Sequence, residues 1–282
     1  MNRTRRRKLL SGIVVFLCGA AVVTALVPLF FVFAYVLQKG FSSLNWDFFT
    51  KMPKPVGETG GGMANAMLGT LYLILIAGAF AIPVGMIAGV YLSEYGQKTF
   101  GSLVRFTADV LNGVPSIVIG IFAYGLAVLP VKHFSALAGG LALGFMMIPI
   151  ITRTTEELLN LVPNSLREGA LALGATRARA AFSVMVPAAL PGIMTGILVA
   201  LARIAGETAP LLFTAFNNRF FSTSLVQPIS SLPVQIYTYA VSPYDDWHRQ
   251  AWAGALVLVA FVFTFSVLAR VVTRRLERMH RT

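Results

Sequence analysis

Charge is what this chain has least of. Lys, Arg, Asp and Glu together supply 12% of its 282 residues, about half the share of an ordinary soluble domain. Cysteine is nearly absent: Cys18 stands alone, with no partner for a disulfide or a thiolate metal site. Three histidines occur, His133, His248 and His280, and none forms an HExxH pair. No Gly-Lys dipeptide exists, which excludes a P-loop; GQKT at 96–99 lacks the glycine-rich cradle. GxSxG is missing as well. No catalytic residue and no metal ligand is therefore expected, and an intramembrane protease or metalloenzyme has no residues to work with.

What is present is apolar length. Hydrophobic residues make up 56% of the chain, and the mean hydropathy is +0.74. Charge-free intervals run over 9–38, 59–93, 110–131, 134–152, 180–202 and 250–269. A membrane-spanning helix needs about 20 apolar residues at 1.5 Å per residue. In the second interval the apolar part is 67–92, approached by a glycine-rich stretch. The fifth becomes a helix reaching about Phe216 once Arg203 is admitted inside it. The expectation is an all-α integral membrane protein with six transmembrane helices. Its parts would be a basic segment, first helix and outer loop at 1–65, a transmembrane domain at 66–272, and a basic tail at 273–282.

Six spans place both termini on one side. Sixteen Lys and Arg fall on that side and six on the other, with Arg203 inside a span. The positive-inside rule then puts both termini in the cytoplasm. The +12 net charge reads as topology and not as a nucleic-acid patch, because the basic residues flank apolar spans. MNRTRRRKLL looks like the start of a secretory signal, but a signal's apolar core is about 7–15 residues. This one continues past Pro28, so a retained anchor helix is expected. Outside, 39–63 and 217–249 are rich in Pro, Gly, Ser and aromatics. Trp46 and Trp247 suit interfacial anchors, and 231–241 suits a short surface helix.

The largest inner loop, 154–187, reads TTEELLNLVPNSLREGALALGATRARAAFSVMVP. Apolar residues recur at helical spacing on both sides of Gly174, giving two short amphipathic helices broken at a glycine. Glu168, Gly169 and Ala170, then Gly174, then Val184-x-Val186-Pro187 resemble the EAA loop of ABC importer permeases. Gly169 replaces the first alanine of that pattern, and Val184 and Val186 replace Ile and Leu. NGVPSIVIG at 112–120 and GETAPLLFTA at 206–215 further resemble the A-type permease subunits of the phosphate-specific ABC importer. The resemblance extends from about Gly62 to the C-terminus. It implies a type I importer permease fold whose cytoplasmic coupling-helix elbow docks on an ATPase, through Glu168, Gly169, Ala170, Gly174 and Pro187. The partners implied are a second, homologous permease subunit, a dimeric ATP-binding subunit, a periplasmic phosphate-binding protein, and phosphate in a bacterial inner membrane. ATP and Mg would belong to the ATPase, with no cofactor in this chain. Gly85-x-x-x-Gly89, Gly140-x-x-x-Gly144 and Gly192-x-x-x-Gly196 offer small-residue faces, whether for a partner or within one bundle.

Arg203 and Glu207 stand in the apolar run 198–216. Intramembrane charges face a bundle interior or an aqueous cavity. Four residues apart, the two share a face of a continuous helix. They would either neutralise each other or line a translocation path. In the path, the guanidinium meets an oxyanion and Glu207 accepts the proton that hydrogen phosphate has and sulfate lacks. Arg153, in PIITRTTEE, is either a flank reaching the headgroups or a second anion contact on the exit side. Asn112–Ser116, with a glycine and a proline, opens a kinked or a discontinuous span. Other oxyanions and a proton-coupled secondary transporter are the alternatives, the latter having no use for the elbow.

Overall fold

The computed structural model describes residues 3–58 and 60–279, and among them the structure is helical with no strand. His280 and Arg281, in the expected basic tail, lie outside the described residues. The elements are α1 (Arg3–Phe41), α2 (Trp46–Thr50), α3 (Ala64–Tyr95), α4 (Thr99–Gly113), α5 (Ser116–Ala123), α6 (Ala136–Asn160), α7 (Asn164–Ala172), α8 (Arg177–Ala180), α9 (Val186–Ile204), α10 (Ala209–Thr214), α11 (Leu232–Ala240) and α12 (Asp245–Met279). Single π-helical turns follow α5 at Tyr124–Val128 and α8 at Ala181–Met185.

Five stretches are continuous helices long and apolar enough to cross a membrane: Leu10–Phe41, Ala64–Tyr95, Ala136–Asn160, Arg177–Ile204 and Asp245–Leu268. A sixth candidate is a bent pair, Thr99–Gly113 with Ser116–Val128, whose halves meet at 107°. The span expected at 110–131 thus starts only at Ser116. Pro115 cannot donate to the helix ladder and holds Val114 in an extended conformation, so α4 folds back against the C-terminal ends of α3 and α6.

Both π turns have one cause. Leu129 N–H reaches back five residues to Tyr124 O, and Val186 N–H does the same to Ala181 O. A proline follows each, Pro130 and Pro187. A proline ring crowds the carbonyl four residues earlier, and widening the preceding turn by one residue relieves it.

The core is a seam of small residues between α3 and α6. A Cβ at Gly85 would lie 2.8 Å from Ile151 Cβ, and one at Gly89 2.5 Å from Thr155 Cβ. From the other side, Gly140 and Gly144 seat against Ile76 and Phe80, while Gly192 and Gly196 of α9 seat against Leu158 and Thr154 of α6. All three small-residue faces are thus used within the chain. Around them Leu73, Ala77, Ala81, Leu143, Met147, Ile151, Ile193 and Ile197 form one buried cluster. By contrast α1 buries none of its apolar window; it meets α12 at its outer end, where Gly40 lies on Trp252 and Leu256 and Tyr35 meets Trp252 edge-on.

At the end of the bundle where α3 begins, amide side chains fold the 217–231 segment onto it. Asn65 Nδ2 donates to Asn218 O at 2.6 Å, and Asn217 Nδ2 to Gln235 Oε1 at 3.0 Å. Leu232 N donates to Thr70 Oγ1 at 2.8 Å. A short helix forms where one was expected at 231–241, α11, but five of its nine residues are buried, so it packs into the bundle and does not lie along a surface. Trp46 is open, but Trp247 stacks on buried Tyr239 at 4.5 Å instead of reaching into an interface.

The seam makes a testable claim. Gly89→Leu should overpack it and lower the stability of the detergent-solubilised protein by about 1–3 kcal/mol. Gly19→Leu, with nothing within 4 Å of its Cβ, should be neutral. Equal effects of the two in thermal unfolding would contradict the packing described.

Candidate functional site

Helix α9 ends at Ile204, short of the expected Phe216. Ala205, Gly206 and Glu207 close a turn on Leu201, Arg203 and Ile204 carbonyls, and Pro210 in the first turn of α10 cannot continue the ladder. Arg203 therefore occupies the last turn of α9, while Glu207 lies in the break. The shared helix face expected for them does not exist. Among the described residues neither makes an ion pair or a side-chain hydrogen bond; Arg203 is exposed and Glu207 half-buried. They are not a self-neutralising pair.

The break sits against α5. A Cβ at Gly120 would fall 2.6 Å from Pro210 Cα, so α5 and α10 approach backbone to backbone. The amides of Ser116 and Ile117, the first two of α5, have no acceptor among the described residues. The interrupted helices 112–116 and 205–208 thus belong to one region of the molecule.

Arg153 has a different setting. Its Nη1 donates to Glu156 Oε2 at 2.8 Å, and its Nε lies 3.1 Å from Asp109 Oδ1. Arg105 Nε takes the other oxygen of Glu156 at 2.5 Å. The remaining nitrogens of Arg105 donate to Gly96 O at 2.7 Å and Leu92 O at 3.1 Å, satisfying the carbonyl end of α3. Glu156 is 3% exposed and carries two guanidinium partners, so α3, α4 and α6 are locked at one level. Arg153 is thus held by two carboxylates, Glu156 and the more exposed Asp109. Arg105, Asp109 and Glu156 were not singled out from the sequence; Arg105 and Asp109 are four apart on the amphipathic α4, the signal that was available.

Heights along the bundle follow from helix rise. Gly196 touches Thr154, the neighbour of Arg153. Arg203 lies seven residues beyond Gly196 on the same helix, roughly 10 Å further out at 1.5 Å per residue. The two arginines are at different depths.

The elbow has the expected helix–turn–helix form. Helix α7 contains Glu168, Gly169 and Ala170 and buries no residue. It ends in a Schellman motif: Ala175 N donates to Ala170 O at 3.1 Å and Gly174 N to Leu171 O at 2.9 Å, with Gly174 at φ +82°. Thr176 then caps α8 through its Oγ1. Leu173 at the tip is 91% exposed, and Glu168 and Gly169 are open. Pro187 lies in the first turn of α9, past the π turn. The result is an apolar knuckle with small residues beside it, the shape of a surface that another chain covers.

The family described as "Binding-protein-dependent transport system inner membrane component" matches residues 81–278. A phosphate transport system permease protein PstA from Yersinia pestis is 44% identical over 269 residues, 95% of this chain and 90% of that protein. A probable phosphate transport system permease protein PstA from Methanocaldococcus jannaschii is 36% identical, covering 92% of each. Among solved structures, the fold is similar to the MetNI methionine ABC transporter in an inward-facing form, with TM-score 0.63, 20% identity, and 76% of this chain and 95% of that chain covered. It is also similar to a bacterial alginate ABC transporter in complex with an alginate pentasaccharide-bound periplasmic protein, with TM-score 0.67, 14% identity and 96% of each chain covered.

The Glu156 cluster yields a stability test. Bonds to charged groups are worth about 1.5–3 kcal/mol each, and Arg105 and Arg153, about a third exposed, recover part of that from water. Glu156→Ala should cost about 2 kcal/mol and open the α3–α4 turn to protease at Lys98. Glu157→Ala, one residue away and exposed, should do neither. Proteolysis rates that do not separate the two would remove the lock.

Proposed function

The chain belongs to the family of binding-protein-dependent transport system inner membrane components, and from that premise we propose that it is the transmembrane permease subunit of an ATP-driven importer of inorganic phosphate. High identity to phosphate permeases over nearly the whole chain supports the substrate. The observation that carries the site is Arg203: an exposed guanidinium ending an otherwise apolar helix, without an ion-pair partner among the described residues. A charge in such a place is tolerated where a polar path or a ligand meets it.

Phosphate arriving at the break between α9 and α10 accepts hydrogen bonds from Arg203, whose planar fork fits an oxyanion. Glu207, on the break itself, accepts the proton of hydrogen phosphate. The free amides that begin α5 are further donors on the same side. Arg153 then acts as an exit contact when its exposed partner Asp109 gives way. Two such chains, this one and a homologous second permease, form the path. A periplasmic phosphate-binding protein delivers the anion, and a dimeric ATPase holding ATP and Mg docks on the elbow through Glu168, Gly169, Ala170, Gly174 and Pro187. Both termini lie in the cytoplasm.

Arg203→Gln should reduce labelled phosphate uptake by roughly 10- to 100-fold per inserted subunit, the equivalent of about 1.5–3 kcal/mol for a lost bond to a charged group. Arg203→Lys should also fall sharply, since a point charge lacks the fork. Adding Glu207→Gln to Arg203→Gln should not restore uptake. Recovery in the double variant would remove Arg203 from the path, and uptake of sulfate in preference to phosphate would replace the substrate.

Orientation is checked separately. In a chain lacking Cys18, a cysteine at Gly57 should react with an impermeant thiol reagent from outside, and one at Arg177 should not. The opposite pattern would invert the topology and remove the elbow from the ATPase side.

A further inference from the structure

Helix α7 is joined to α6 and α9 by chain but not to α3, the longest of the inner helices, from which it is separated by a whole bent span. One side-chain link bridges that gap. Arg167 Nη2 and Nε both donate to Glu94 Oε1, at 2.8 and 3.2 Å, across 73 residues of sequence. Arg167 Nη1 donates to Asn164 Oδ1 at 3.0 Å, so the guanidinium is oriented by its own helix before it meets the carboxylate. The Glu94 side chain is 4% exposed and that of Arg167 26%. Among the described residues, these are the hydrogen bonds or ion pairs that leave α7 for a transmembrane helix.

The surroundings make the link directional. Ser93, next to Glu94, donates through Oγ to Asn160 Oδ1 at 2.9 Å, so the last turns of α3 and α6 are tied at the same level. Lys98 and Arg177 line the same cleft as Glu94 and Arg167. No nearby carboxylate other than Glu94 lines that cleft to hold Arg167, and a Glu94 carboxylate without Arg167 would lose its nearest cation while staying out of water. A force on α7 therefore reaches α3 directly, and not only through the hairpin turn 161–163 into α6.

We infer that Arg167 and Glu94 form the strut that transmits elbow motion to α3, a positioning pair distinct from the surface that meets the ATPase. The inference rests on the proposal that the elbow couples to an ATPase. Arg167 faces inward from α7, whereas Leu173 and Glu168 face outward. Losing the strut leaves the docking surface intact but lets α7 rock without moving the seam between α3 and α6.

The test uses the assembled complex in phosphate-loaded and phosphate-free proteoliposomes, with ATP hydrolysis and labelled phosphate transport measured together. Arg167→Gln and Glu94→Gln should each co-purify with the ATPase in normal amount and retain basal hydrolysis. Each should move at least about tenfold less phosphate per ATP. The double variant should be no worse than either single one, because partners that act through each other lose one function once. Arg167→Lys, which keeps one donor to Glu94, should recover part of the ratio, and it guards against a misfolded Gln variant. An unchanged ratio in both single variants overturns the strut. So do additive losses in the double variant, and so does detachment of the ATPase from Arg167→Gln, which would make Arg167 a docking residue. Gly174→Val distinguishes the underlying proposal: it strains the φ +82° position on the exposed knuckle, and if it leaves both docking and coupling unaltered, the elbow itself is not the coupling site.

Discussion

The close approach of α3 and α6 is the constraint on which the other placements depend. In hydrocarbon there is no hydrophobic gain in moving one apolar helix from lipid to another helix, so association relies on contact and on backbone proximity. Gly85, Gly89, Gly140 and Gly144 supply that proximity, each with a neighbouring side chain where a Cβ would stand. Once the two helices are fixed, α6 offers its other side to Gly192 and Gly196 of α9, and the depth of Arg203 follows from that contact. The lock at Glu156 and the amide-stitched outer loop then close the two ends. Change the seam and every one of these levels shifts.

Two classes of arginine result. Arg105, Arg153 and Arg167 each meet a carboxylate that is itself oriented, two of them by Glu156 and one by Glu94. Their worth is geometric: they fix which helices move together. Arg203 has no such partner among the described residues, and its helix ends one residue later, at Ile204. The chain thus separates arginines that tie helices together from one that meets no carboxylate among the described residues.

Much of this was legible from residues in a row. The six apolar stretches, the two helices either side of Gly174, and the outer helix at 231–241 all follow from period and composition. The positions of the breaks did not. Pro210 lies beyond the charge that made 198–216 puzzling, and a helix drawn through Arg203 and Glu207 looked continuous until the turn at 205–208 was seen. Likewise Pro115 pointed to a kinked or discontinuous span, but the 107° angle between the two halves could not be read from a proline alone. Long-range pairs such as Arg167 with Glu94 join residues that no local pattern connects. The small-residue faces were visible as spacings; their partners, all within this chain, were a matter of three dimensions.

The outer end of α6 has a consequence for traffic. Its first four amides are all taken: Ala136 by Gln227 O, Leu137 by Leu225 O, Ala138 by Ser135 Oγ and Gly139 by Ser135 O. A helix start normally attracts anions through such donors, and this one has none to spare. The start of α6 therefore offers an anion no free donor and is pinned instead by the 225–227 segment and by Ser135.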